Sequence, residues 1–323
     1  MCTAISYKTK DHYFGRNLDL EYSYQEEITI TPRNFPLPFR MVDAQPTHLG
    51  IIGTAVIANG FPLYFDATNE AGLSMAALNF PGNAVYLQAN PKKYNVSSFE
   101  LIPWILGQCT TVTDAEKLLK GTNIADTAFN DAFPPSPLHW IVADREVALT
   151  IEPMANGLNI YHNPVGILTN NPPFDYHMHN LNNYLNLTRE EPRNHFAPKY
   201  PLAPHSRGLG AFGLPGDLSS VSRFVKAAFT KLNSVYGDTN EESITQFFHI
   251  LSSVEQQSGC ISVGDHFEKT VYSSCCNTDT GIYYYVTYEN RQITAINMHH
   301  ENLDSNVLFH YPMVRQQQIY EGN

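Results

Sequence analysis

An α+β layered architecture is what this sequence predicts, and three observations carry the prediction. Short runs of β-branched and aromatic residues crowd both ends of the chain. Amphipathic helical patterns gather between them, and a hairpin signature near the C-terminus points to antiparallel pairing. No Ser/Gly run, charge block or repeat marks a seam in the 323 residues, so a single domain over 1–323 is expected.

Taken in order, TAISYK, HYFGRNL, EEITITP, LGIIGTAVI and GLSMAALNF read as strands, because such side chains fit a pleated sheet. SSFELIPWILGQC carries a helical pattern. TVTDAEKLLKG follows as a second helix, with Thr113 placed as N-cap and Gly121 at the stop. LHWIVAD, ALTIEP, GLNIYHN and VGILTN form a meander. The stretch TREEPRNHFAPKYPLAPHSRGLGAFGLPGD is too long, and too rich in Pro, Gly and Arg, for an ordinary connection. It reads as a functional loop or a contact arm for another subunit. SSVSRFVKAAFTKLNSVYG and NEESITQFFHILSSVEQQ space apolar residues by three and four, giving two amphipathic helices. TVYSSCC, GIYYYVTYE and RQITAINM close the chain as strands, the last two flanking ENR as a hairpin, and the two ends of the chain are expected to share a sheet system.

Composition narrows the function. Hydrophobic residues make up 43% and charged residues 16%, with 19 Tyr and 18 Phe, enough for a large aromatic core and against disorder. The net charge of −11, without a Lys/Arg cluster, argues against a nucleic-acid or anionic-membrane partner. Neither a signal peptide nor an apolar run near the ~18 residues of a membrane span is present, so the expected compartment is the cytoplasm. Five cysteines without CxxC spacing fit neither a disulfide framework nor a zinc site and read as reduced thiols. HExxH, P-loop, GxSxG and EF-hand patterns are missing. The HxH of DYHMHN would point His177 and His179 apart on a helix, so no metal or other cofactor is expected.

The chemistry is concentrated at the start of the chain. Removal of Met1 would give Cys2 a free α-amine and a thiol on one carbon, two groups that titrate near ~8 and ~8.5. A neutral amine can take the thiol proton as sulfur attacks a carbonyl, then return it to the leaving nitrogen. FGRNLDL supplies the charges such a pair needs. Arg16 beside Cys2 would favour the thiolate, and Asp19 could orient the amine. In an extended strand Arg16 lies opposite Asn17 and Asp19, unless the strand ends after Asn17 and lets both charges reach the site; an ordinary Arg/Asp surface pair is the alternative.

MCTAISYKTKDHYFGRNLDLEYSY, together with ATNEAGLSMAALNFPG, GILTNNPPFDYH, GLPGDLSSVSRFVKAAF and YYYVTYENRQITAIN, resembles the choloylglycine hydrolase family of bile salt hydrolases and penicillin V acylases, over essentially the whole chain. The resemblance implies the four-layer αββα sandwich of N-terminal nucleophile hydrolases and loss of Met1. It matches Cys2 to the nucleophile, Arg16 and Asp19 to the GRN.D motif, Asn79 to LNFP, Asn170 to LTN and Arg223 to SRF. Asparagine side chains are neutral donors suited to an oxyanion, the role given to Asn79 and Asn170, while an inward Arg223 would hold the acidic groups in place.

Asparagine at position 79 is typical of the bile salt hydrolases in this family, where the acylases of the Gram-positive type carry tyrosine. The implied substrate is therefore a conjugated bile salt, with penicillin V or an acyl-homoserine lactone as the alternative. A steroid needs an apolar cleft, and Leu18, Leu20, Tyr24, Phe61 and Phe65 are the candidates to line it. Residues 188–215 match the place of an assembly loop, which implies a homotetramer.

Overall fold

A computed structural model describes residues 1–323. The first half of the chain forms strands Cys2–Lys8 (β1), His12–Leu20 (β2), Glu27–Thr31 (β3), Ile51–Ala58 (β4), Phe61–Asn69 (β5), Ser74–Asn79 (β6), Tyr94–Ser97 (β7) and Thr122–Ala125 (β8). Helices Leu101–Leu106 (α1) and Val112–Lys120 (α2) lie between β7 and β8. The meander follows as Leu138–Ala143 (β9), Ala148–Met154 (β10), Gly157–His162 (β11) and Ile167–Leu168 (β12). Helices Phe174–Asn180 (α3), Ser220–Asn233 (α4) and Asn240–Ser252 (α5) come next. The chain ends in Ser262–Val263 (β13), His266–Phe267 (β14), Lys269–Asn277 (β15), Ile282–Thr287 (β16), Thr294–Asn297 (β17) and Phe309–Pro312 (β18).

Two antiparallel sheets stack. One has the order β12-β1-β2-β15-β16-β17, so the two ends of the chain share it; the other runs β11-β10-β9-β6-β5-β4-β3-β18. Helices α4 and α5 cover the outer face of the first, and α1 and α2 that of the second, giving αββα. Side-chain alternation produces the layers directly. On β6, Ala76 and Leu78 join the core between the sheets while Met75 and Ala77 join the core under α1; on β9, Ile141 and Ala143 do the first, Trp140 and Val142 the second. Each of the larger side chains among them, such as Leu78, Met75, Ile141 and Val142, contributes about 1.5–3 kcal/mol when fully buried. No helix is long and apolar enough to cross a membrane.

Several local expectations are corrected. Helix α2 is capped by Thr111, not Thr113: both begin a Thr-x-x-acid box, but Thr111 accepts from Asp114 N and this start places Val112, Ala115 and Leu119 on the buried face. Gly121 ends the helix as expected. Strand β5 is absent from the sequence reading because Pro62 discourages a strand, yet Pro62 stands near its first residue, where a ladder donor can be spared. The β16–β17 hairpin is present, with a longer connection than ENR. Cys275 and Cys276 point to opposite faces, and both are buried because each face of the sheet is covered; all five cysteines are free thiols. Gly15 permits the close approach of β2 to β15, since a Cβ there would stand 1.9 Å from the Ser274 carbonyl oxygen.

Candidate active site

Register brings the site together. Cys2 opens β1 opposite Leu18 of β2, and on the other side of β1 Ala4 faces Leu168 of β12. Continuing that ladder by two residues sets Asn170 beside Cys2, and Asn170 Oδ1 accepts from Cys2 N at 2.7 Å. Strand β2 runs on through Leu20, so the extended-strand reading holds and the alternative of an end after Asn17 does not. Arg16, Leu18 and Leu20 face the space between the sheets with the Cys2 side chain, while Asn17 and Asp19 face the helices. Arg16 acts on Cys2 from the cleft side, and Asp19 lies on the helix side beside Arg223, which binds Cys2 O.

Arg16 is fully buried. Its Nη1 donates to the carbonyls of Phe65 (3.0 Å) and Ala77 (2.5 Å), Nε faces Asn17 O (3.4 Å), and Nη2 has no partner. Burial works against its charge, but Cys2, Tyr272, Asp66 and Asp19 reverse the effect and raise its pKa. On the helix side, Arg223 extends from the first turns of α4 and ties the site together. It donates to Cys2 O (2.5 Å), Thr3 Oγ1 (2.7 Å), Asn170 Oδ1 (2.8 Å) and Leu218 O (3.1 Å), and lies 3.9 Å from Asp19 Oδ2. Burial pushes the Asp19 carboxyl up and the Arg223 guanidinium down, and their mutual attraction opposes both shifts. Asp19 Oδ1 accepts from Thr270 Oγ1 (2.6 Å); Oδ2 has no hydrogen-bond partner.

Asn170 Nδ2 donates to Asn79 O (2.7 Å), which leaves one of its two amide protons uncommitted. Asn79, the last residue of β6, is exposed to the cleft. Met1 precedes Cys2 with its ammonium on Asp19 O and Glu268 Oε1, both at 2.7 Å, and its carbonyl accepts from Asp19 N (2.9 Å).

The six catalytic candidates therefore converge. Of the cleft candidates, Leu18, Leu20, Tyr24 and Phe65 line an apolar cavity of about 290 Å³ that ends at Cys2 and Arg16. Phe61 does not and is corrected: it sits at the start of β5, beyond Leu63, and packs behind Phe129 with ring centres 6.1 Å apart. The opposite wall, Phe129, Phe133 and Pro134, comes from a loop in FNDAFPPSP that the sequence reading passed over. Its paired phenylalanines beside prolines were the available signal.

Also missed were the supports of Asn170. His177 Nε2 donates to Asn170 O (2.9 Å), and Asn170 N donates to Ser220 Oγ (2.8 Å). Burial lowers the pKa of His177 to about 4, so the ring is neutral and holds that donor. His139 bridges Thr169 O (2.9 Å) and Glu152 (3.1 Å), and Glu152 accepts from Phe174 N at the start of α3.

Similarity to known proteins agrees with this geometry. The chain is 51% identical to a bile salt hydrolase/transferase of Lactiplantibacillus plantarum over the full length of both proteins. It is 36% identical to one of Clostridium perfringens, covering 96% of each. The fold superposes on the crystal structure of a cysteine-to-alanine mutant of the conjugated bile acid hydrolase from Clostridium perfringens with a TM-score of 0.92, at 34% identity and full coverage of both. The penicillin V acylase of Agrobacterium tumefaciens, at 19% identity and a TM-score of 0.76, shares the fold over 99% of this chain and 94% of its own. The sequence model of the linear amide C–N hydrolases, choloylglycine hydrolase family, matches residues 2–311. With its cysteine at the head of β1 and its αββα layers, the chain belongs to the choloylglycine hydrolase family.

Proposed function

We propose that the protein hydrolyses the amide bond of glycine- or taurine-conjugated bile salts, with Cys2 as nucleophile. The observation that carries the reading is the position of Cys2: its thiol faces the closed end of an apolar cleft, and its nitrogen is held by Asn170 on a polar, fully enclosed side. Hydrolytic removal of Met1 by an aminopeptidase turns that nitrogen into an amine. Asp19 Oδ2, which lacks a partner, is the acceptor that orients it together with Asn170.

The amine then takes the thiol proton, and sulfur attacks the amide carbon beside the Arg16 guanidinium. The side chain of Asn79 and the free amide proton of Asn170 meet the oxyanion. Collapse expels glycine or taurine, whose nitrogen receives the proton from the Cys2 ammonium. Water, deprotonated by the same amine, cleaves the thioester. Leu18, Leu20, Tyr24 and Phe65 hold the steroid.

The test is a substrate panel on protein whose intact mass shows Met1 removed. Glycine release from glycocholate or taurine release from taurocholate is expected at a higher kcat/KM than cleavage of penicillin V or an acyl-homoserine lactone. No release from either bile salt overturns the reading, and protein that retains Met1 is expected to be inactive because its Cys2 nitrogen is an amide.

The protein acts in the cytoplasm as a homotetramer joined through residues 188–215. In support, this segment exposes Phe196, Tyr200, Leu202 and Phe212, at 93%, 68%, 54% and 79% of their surface. Its base is pinned at Gly210, where any Cβ would stand 2.0 Å from Glu190 O. Sedimentation velocity should give the tetramer mass for wild type and a smaller species for Phe196→Ser/Phe212→Ser; a monomeric wild type contradicts the assembly.

A further inference from the structure

Between the sheets, next to Arg16, lies a group of buried polar side chains that the reaction above does not use. Asp66, on β5, is enclosed on all sides. Its Oδ1 accepts from Tyr272 Oη (2.6 Å), and its Oδ2 from Tyr283 Oη (2.6 Å) and Ser274 Oγ (3.1 Å). The protons order themselves. Arg16 N–H donates to Ser274 Oγ (3.1 Å), so the serine's own proton is free for Asp66, and Thr54 Oγ1 lies 2.7 Å from Tyr283 Oη on its far side. Three hydroxyl donors around two oxygens suit a carboxylate rather than a carboxylic acid. Burial pushes the Asp66 carboxyl up, against the pull of Arg16 and the three hydroxyls.

Arg16 and Asp66 influence each other without pairing, for no ion pair to Arg16 forms within 4.0 Å. Nη1 is occupied by Phe65 O and Ala77 O, and the Phe65 carbonyl belongs to the residue preceding Asp66. The charged or titratable groups acting on Arg16 are Cys2 from β1, Asp19 from its own strand, Asp66 from β5 and Tyr272 from β15; Tyr283 of β16 and Cys276 of β15 feel Asp66.

We infer that Tyr272, Tyr283 and Ser274 form a positioning cradle. They keep the Asp66 carboxylate near enough to offset the buried Arg16 charge, yet too fully hydrogen-bonded to capture the guanidinium, which stays directed at Cys2. The inference rests on the reading of Cys2 as nucleophile. Its physical basis is the cost of a buried oxygen that loses a donor: the carboxylate then takes the nearest alternative, and a direct ion pair would cancel much of the field that Arg16 exerts on sulfur.

The experiment measures the pH dependence of Cys2 alkylation by iodoacetamide in Met1-free protein, read on the Cys2 peptide by mass spectrometry. Wild type, Tyr272→Phe and Tyr272→Phe/Asp66→Asn are compared. In Tyr272→Phe the acid limb is expected to move up by about one pH unit, about tenfold slower alkylation on the limb. On glycocholate, kcat should fall while KM stays within about twofold. In the double variant the neutral amide has no charge with which to capture Arg16, and the limb returns to its wild-type position or below.

A limb that superimposes on wild type in Tyr272→Phe, or fails to return in the double variant, overturns the cradle. A purely structural role would lower Tm without moving the limb. If Tyr272→Phe does not fold, Tyr283→Phe, which withdraws a donor from Oδ2, is read in the same way. Failure of the underlying reading shows itself differently, as wild-type protein that releases no glycine, and the alkylation limb still tests the cradle.

Discussion

Replacing Cys2 by alanine is expected to lower kcat/KM on glycocholate by about 10⁴-fold or more, and replacing it by serine by at least about 10³-fold, with little change in Tm. The thiol is the one cysteine sulfur at the cleft. Cys109, Cys275 and Cys276 are buried in the layers, and Cys260 is exposed outside the cleft, so no neighbour can substitute. Serine is the sharper experiment, because it keeps the amine, its Asn170 contact and the strand register while weakening only the nucleophile. Glycine release measures the effect, and a thermal melt separates it from misfolding. Either variant retaining a tenth of wild-type activity would remove Cys2 from the mechanism.

The second large effect is expected at Arg223. Substitution by methionine should destabilise the fold by about 3–5 kcal/mol and abolish detectable turnover, because it withdraws donors from Cys2 O, Thr3 and Asn170 and leaves Asp19 as a buried charge without its cation. Lysine cannot reproduce the fork that reaches these acceptors at once, so Arg223→Lys should recover part of the stability and little of the activity. A double variant separates the two roles. Asp19→Asn/Arg223→Met removes the orphaned charge and should regain stability relative to Arg223→Met, while remaining inactive. Urea unfolding and glycine release on the same preparations check both halves; a fully active Arg223→Met protein would reduce the arginine to a surface role that its burial contradicts.

How much of this was legible beforehand differs by level. The strands of the two ends were readable because β-branched and aromatic runs dominate them, and the helices because their apolar spacing is regular. Strand β5 was hidden by Pro62, and β18 by its shortness and closing proline. The overlapping capping boxes at Thr111 and Thr113 carry the same local signal, and only the burial of Val112 against the second sheet chooses between them.

At the site, Cys2, Arg16 and Asp19 could be argued from chemistry, because a terminal thiol and amine need a cation and an acceptor. Their placement on opposite faces of β2 was one of two readings that alternation allowed, and the continuation of the strand through Leu20 selects it. Asn79, Asn170 and Arg223 carry no local signal of their own; family resemblance singled them out, and only pairing of β12 with β1 explains why Asn170 meets Cys2. The cleft was half legible. Neighbours of Asp19 on β2 were found by proximity in sequence, whereas Phe129 and Phe133 reach it from more than a hundred residues away.

That last separation has a consequence for how such an enzyme can change. Cys2, Arg16 and Asp19 sit on hydrogen-bonded strands, where a shift of one residue would turn every side chain to the wrong face. The outer wall of the cleft, by contrast, is carried by the exposed connection between β8 and β9, which shares no ladder with β1 or β2. Loop exchange there can retune which acyl group is accepted while the reaction centre keeps its register, so selectivity and reactivity are separable parts that an engineer, or natural drift, can alter one at a time.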